Sequence, residues 1–454
     1  MNQKNSVQAE DRVSTGAKIG YGVGDFGANL VFQSILIFLI FYFTDVFGIA
    51  AKVAGTIFFV SKVWDAVTDP TMGYLSDRTH SRWGQKRPYL LFGAIPLGVC
   101  FFLLFASPNI EESFRPVYAL IFFLLVCTLY TVVNIPYGAL TASMTVDAHE
   151  RSKISGVRTF FALMGTLTVA GATLPLVELF GGGKAGFRAT GAIFGVLAAV
   201  LTLVTFFSVR ERVTQRDTTH FSLRDVATIL KNNRPFIILS VGMIMHLTAL
   251  GVLAAMINYF FKYVMLDADF ATFAFLCIFV PAALALPLWV WLSRRLSKKA
   301  AFNMGMGLLA LALVGVFFVK ELNPVVLLPL FVVGGVGLST NFFSPWAMVP
   351  DTVEYGQLQT GLRREGILYG VFFFGQKMAS ALAGFIAGQG LGLFGFMANE
   401  IQADRALLGI RILTTFVPIT LIILGIIVIS FYPINQAMHT KILEDLEKKQ
   451  KGTS

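Results

Sequence analysis

Charge is what this sequence has least of. Only 14% of its 454 residues are Asp, Glu, Lys or Arg, where a soluble domain carries about a quarter. That shortage excludes an ordinary water-soluble globule. Cysteine is also scarce. Cys100, Cys127 and Cys277 each fall inside an apolar run with no CxxC spacing, which excludes a disulfide scaffold or a thiolate metal site. Long polar loops are missing too. The longest polar stretch, 210–234, is too short to build an extramembrane catalytic domain, so the chain is not expected to be an enzyme. No nucleotide-binding motif occurs, so ATP does not drive it directly. Residues Met1 to Lys18 lack the basic-then-apolar order of a leader peptide and read as a cytoplasmic tail.

What fills the chain is hydrocarbon. Apolar types make up 56% of it, 44 residues are Phe, and the mean hydropathy is +0.71. Apolar stretches of ~20 residues, enough to cross a ~30 Å hydrocarbon core, recur throughout. Twelve spans are expected, at 17–44, 51–77, 88–107, 116–142, 157–181, 188–209, 235–265, 270–292, 301–320, 325–353, 367–395 and 406–433. An even count puts both termini on one side. Loops on that side hold Arg78, Arg82, Lys86, Arg87, Arg151, Lys153, Arg210, Arg212, Arg216, Arg224, Lys231, Arg234, Arg294, Arg295, Lys298, Lys299, Arg363 and Arg364. The opposite loops offer mainly Lys52, Arg115, Lys184 and Lys320. The asymmetry assigns both termini to the cytoplasm of a multi-pass inner-membrane protein. It also accounts for the net charge of +10 with the lipid bilayer as partner and without nucleic acid. The stretch 210–234 divides the chain into six-helix halves, 1–209 and 235–454. The loops YLSDRTHSRWGQKRP and WLSRRLSKK sit at equivalent places in the two, as an internal duplication predicts. The expected fold is all-α, of the major facilitator type.

An ionisable group inside a span is costly and therefore a functional candidate. In SKVWDAVTDPTMG, Lys62, Asp65 and Asp69 fall at i, i+3 and i+7, on one helix face. Two carboxylates a turn apart share a proton, pair with the lysine, or bind a small cation. Hard monovalent cations want oxygen ligands, and Thr68 and Thr131 supply hydroxyls. The bland alternative is a structural ion triad, which contributes little net stability. Asp25 follows YGVG, whose glycines suit close helix packing. It is a gating, packing or ligand contact, with Asn29 the better ligand candidate. Asn134 lies in NIPYG, where Pro136 frees backbone carbonyls. Lys377 has no acidic neighbour in sequence and needs a partner from another helix or a ligand. Arg158 binds inside or snorkels to the interface, and His246 reads as a satisfied bundle residue. Phe26, Tyr130, Tyr137, Phe342, Phe372 and Phe373 flank these positions and could stack on a sugar ring.

YGVGDFGANLVF with FYFTDVFG, KVWDAVTDPTMGYLSDRTHSRWGQKRPYLL, YTVVNIPYGAL, MVPDTVEYGQ, RREGILYG and the lysine of GQKMAS together resemble the glycoside–pentoside–hexuronide:cation symporters, the melibiose permease family. The resemblance runs over nearly the whole chain. It implies a cation:sugar symporter with no organic cofactor and Na⁺ or H⁺ as coupling ion, expected to work as a monomer. Asp65 and Asp69 carry the cation, with Thr68 and Thr131 beside them. Asp25, Asn29, Tyr130, Asn134, Arg158, Phe342, Phe372 and Lys377 line the substrate site. Lys62, a basic position usual for the family, is grouped with Asp77 and Arg78 in gating, these two latching the cytoplasmic helix ends. Where melibiose permease holds galactoside hydroxyls with two aspartates this chain has Asn29 and Asn134, and its tryptophan a turn later is Gly138. That balance points to an anionic sugar, a hexuronide or sulfonated sugar. The alternatives are a neutral glycoside or pentoside, or a lysolipid or drug carrier on the same fold.

Overall fold

The computed structural model describes residues 13–145, 147–211, 230–319, 321–361 and 365–452. The expected tail before residue 13, linker residues Arg212, Arg216 and Arg224, and loop residues Lys320, Arg363 and Arg364 lie outside them. The described residues are helical throughout, in fifteen α-helices. These are α1 (Thr15–Phe41), α2 (Ala51–Arg78), α3 (Arg87–Leu104), α4 (Arg115–Met144), α5 (Ala148–Leu179), α6 (Gly183–Ser208), α7 (Arg234–Tyr259), α8 (Phe270–Arg295), α9 (Lys298–Phe318), α10 (Pro324–Leu338), α11 (Ser344–Thr360), α12 (Glu365–Leu393), α13 (Asp404–Thr414), α14 (Phe416–Ser430) and α15 (Gln436–Gly452).

Eleven segments among the described residues are long and apolar enough to cross a membrane. Two of them join a pair of helices, α10 with α11 and α13 with α14. The twelfth span is α2, whose 28 residues suffice in length while its charges keep it below the apolar standard. Phe92, Val117, Leu284 and Ile427 project from their helices uncovered by protein, which costs nothing where the surroundings are lipid. Span ten is interrupted. A 3₁₀ turn over Ser339–Phe342 separates α10 from α11, where an unbroken span over 325–353 was expected. By contrast Pro136 lies inside a continuous α4.

The chain forms two compact units, Met1–Thr218 with Met397–Glu400, and Thr219–Phe396 with Ile401–Ser454. In the first, α1 packs on α5 and α6, α3 on α6 and α4, and α2 on α4. In the second, α7 packs on α12 and α14, α9 on α14 and α10, and α8 on α10. Numbered by span, the two pairing schemes are the same. Small residues permit the closest approaches. A Cβ on Gly98 of α3 would lie 2.5 Å from the carbonyl oxygen of Gly195 on α6, and one on Gly195 would lie 2.6 Å from that of Gly98. Neither glycine can be replaced without parting the helices.

Candidate functional site

The α2–α4 contact holds a cluster of buried charge in the first unit. α2 presents Lys62, Asp65 and Asp69 to one side, and Thr131 comes from α4, more than sixty residues on. The Thr131 hydroxyl stands 2.8 Å from Asp65 Oδ1 and 2.8 Å from Asp69 Oδ1. Lys62 Nζ stands 3.4 Å from Asp65 Oδ2, its ammonium 5.5 and 5.7 Å from the ring centres of Phe32 and Phe123. Lys62, Asp65 and Thr131 are almost wholly enclosed, and Asp69 is half-buried. A threonine hydroxyl has one proton to donate. It cannot satisfy both carboxylate oxygens at once, so the second contact needs a proton on one carboxyl or a cation held between the oxygens. The donor set, carboxylates plus a hydroxyl, is that of a hard cation.

Lys62, grouped by sequence with Asp77 and Arg78, is placed beside the carboxylates. Its amphipathic stem lets the ammonium reach Asp65 through an aromatic sleeve. Thr68 sits on the same helix, but its hydroxyl donates to the Asp65 carbonyl at 3.1 Å. It is satisfied by its own backbone, as Ser and Thr in helices often are.

Asp25 does not stand alone. Its Oδ2 accepts from Arg158 Nε at 3.0 Å, and the guanidinium lies 5.2 Å from the Tyr137 ring centre. Arg158 thus finds a carboxylate partner instead of snorkelling. Tyr21 and Tyr137 brace the pair. Each hydroxyl donates to the other's carbonyl, at 2.9 and 2.8 Å, and their rings stack 4.6 Å apart. The Asn29 amide donates to the Asp25 carbonyl at 2.9 Å. Tyr130, Asn134 and Tyr137 line one narrow crevice with Gly24, Gly27 and Thr202.

In the second unit Lys377 lies half-buried on α12. Phe372 is a core residue, 2% exposed, packed edge-on against Trp346 with centroids 5.6 Å apart. Its ring is covered by protein on both sides in this structure, where the sequence placed it in the substrate site. Phe373, Phe342 and Trp346 keep exposed faces. Trp346 escaped the sequence reading because it lies just past the break in span ten. His246 is fully buried, with Nδ1 2.7 Å from the Gly242 carbonyl oxygen and its ring against Phe302.

At the end of α2, Asp77 pairs with Lys86, which also donates to Ser76 Oγ at 3.0 Å. Arg78 lies 4.1 Å above the ring of Tyr74. A contact at this end that the sequence reading missed is made by Glu211. Its carboxylate accepts from the backbone N–H groups of Gln85, Lys86 and Arg87 at 2.9, 2.8 and 3.0 Å. It satisfies orphan donors at the start of α3. The available signal was an acidic residue placed directly after span six.

Residues 20–436 match the MFS/sugar transport protein family, and the chain belongs to that family. It is 33% identical to the isoprimeverose transporter of Lactiplantibacillus pentosus, over 98% of this chain and 94% of the relative. It is 30% identical to the glucuronide carrier protein homolog of Escherichia coli, over 95% of each. Among solved structures, the nucleoside transporter NupG superposes with a TM-score of 0.64 at 13% identity, covering 92% of this chain and 98% of that one. That likeness establishes the major facilitator fold. At the family level the activity is sugar transport coupled to a cation.

Proposed function

We propose that the coupling ion, H⁺ or Na⁺, binds at Asp65, Asp69 and Thr131. One observation carries the reading: a single hydroxyl proton set between two carboxylate oxygens, each at 2.8 Å. The missing positive charge is either the coupling proton or a cation that replaces it. Lys62 holds Asp65 from the other side and keeps the pair from carrying two uncompensated charges in low dielectric. Binding of the ion in the first unit would be coupled to binding of the sugar. The chain is placed in the inner membrane with both termini cytoplasmic, on the strength of its basic loops. The Asp77–Lys86 pair and the Glu211 cap then act at the cytoplasmic end.

The substrate is an anionic sugar, held in part by Lys377. The two amides Asn29 and Asn134 donate as well as accept, so they suit a substrate that brings its own acceptor oxygens. The glucuronide carrier relative points the same way, since a glucuronide carries a carboxylate. Asp25 compensates Arg158, and Lys377 is the basic group assigned to the substrate. That same pairing favours a second reading, a neutral glycoside, which the isoprimeverose relative illustrates. The two separate in binding measurements on wild type and Lys377→Gln. A charge-assisted hydrogen bond is worth about 1.5–3 kcal/mol, so an acidic glycoside should lose roughly ten- to a hundredfold in affinity while its neutral analogue loses little. Equal losses, or a wild type that prefers the neutral ligand, would select the second reading. Uptake into vesicles under a sodium or a proton gradient decides the ion.

A further inference from the structure

The motif MVPDTVEYGQ on α11 has no part in the ion or sugar chemistry above, yet it carries the densest charge cluster of the second unit. Lys298, at the start of α9, donates to both Asp351 carboxylate oxygens at 2.8 Å and to the Ala347 carbonyl at 2.8 Å. An ammonium has three N–H groups, and all three are spent. Glu354, one turn past Asp351, turns instead to the terminal helix. Its Oε2 lies 2.6 Å from His439 Nε2, and the same nitrogen is 3.5 Å from Asp351 Oδ1.

α15 is seated as a strap along α11. The side chain of Asn435 caps its start, accepting from the Met438 N–H at 2.9 Å. Met438, Ile442 and Leu446 recur every fourth residue and pack against the core cluster that includes Val349, Val353, Tyr355 and Leu358. Ile442 is 3% exposed. Lys449 closes the far end by donating to the Leu358 carbonyl at 3.0 Å. Tyr432, in the segment that leads into the strap, donates to the Met348 carbonyl at 3.3 Å. The titratable groups around His439 are therefore Asp351 and Glu354 from α11, Lys298 from α9 and the Tyr432 hydroxyl.

We propose that α15 is a proton-operated clamp on α11, closed when His439 is protonated and loosened when it is neutral. Two carboxylates and one ammonium leave the cluster one positive charge short, and an imidazolium supplies it. An imidazolium adds its own positive charge to the hydrogen bond with Glu354. Histidine is also the side chain that changes charge in the physiological range. Asp351, Glu354 and His439 lie close enough to hold a metal ion, but the Lys298 ammonium seated on Asp351 opposes a second cation there by charge. What the clamp grips is the half of span ten that follows the break at Ser339–Phe342. Its state sets how freely that half can move, and so adds a pH control separate from the ion site.

The test uses the full-length purified protein and needs no transport assay, so it stands or falls apart from the proposed function. Amide hydrogen exchange over residues 440–449, corrected for intrinsic rates, is compared at pH 5.5 and pH 8.0. Wild type should be about tenfold better protected at the lower pH, the effect of one charge-assisted bond. His439→Gln should show the weaker protection at both values, and His439→Lys the stronger at both. Equal protection of the wild type at the two pH values, or a pH difference that survives in His439→Gln, overturns the proposal.

Discussion

The two halves of this molecule pair their helices by the same scheme and fill the equivalent contact with opposite chemistry. In the first unit α2 meets α4 through Lys62, Asp65, Asp69 and Thr131. In the second, the corresponding α8 and α10 meet at Ile278 and Gly335 and at Trp289 and Val336. A polar bond there runs from Trp289 Nε1–H to the Val336 carbonyl at 2.7 Å. The carbonyl of Ile278 lies so near Gly335 that no Cβ fits between them. One scaffold thus supports a charged cluster in one half and dry packing in the other. The difference shows that the charged cluster is a local graft on the repeat rather than a requirement of the fold.

That contrast can be broken most severely at the carboxylates. Asp69→Asn leaves Thr131 a neutral acceptor and removes one ligand charge. Gradient-driven accumulation should fall to background while sugar exchange persists, as paired uptake and counterflow assays would register. Full accumulation by this variant would end the ion-site reading. Thr131→Val is the graded version. It deletes one hydroxyl and leaves both carboxylates, so the apparent affinity for the coupling ion should drop about tenfold, or roughly 1.4 kcal/mol, with maximal rate largely kept. The smallest effect belongs to the dry half. Trp289→Phe removes one neutral hydrogen bond worth about 1 kcal/mol and should lower thermal stability slightly. The ion dependence of uptake should not move, and a shift in it would mean that the second unit takes part in coupling after all.

Periodicity carried much of the site. Residues three and seven apart on a helix share a face whatever that helix packs against, so the set Lys62, Asp65, Asp69 was readable in the sequence. The partner of Arg158 was not. Asp25 lies 133 positions away, and both residues had plausible fates alone. Phe372 and Phe373 are adjacent and chemically identical, so only packing could make one a core residue and leave the other exposed. The break in span ten was hidden because LSTNFFSP is apolar enough to pass for continuous helix. The terminal strap was hidden by its charge, since KILEDLEKKQK resembles a solvated tail until its fourth-residue apolar stripe finds α11.

The sequence by itself determined the solvent of this protein. Hydrophobic runs of membrane length and basic loops dictate a twelve-span bundle, because no backbone can cross lipid unless it satisfies its own hydrogen bonds. It also determined which helix bears charge. The tertiary structure alone decided what each charge meets. Thr131 reaches the aspartates, the Lys62 ammonium sits between Phe32 and Phe123, Asp25 neutralises Arg158, and His439 docks on Glu354. Each of these is a contact between helices. Such contacts depend on the rotation and depth at which the helices pack, which local pattern leaves open and interhelical packing of small residues sets.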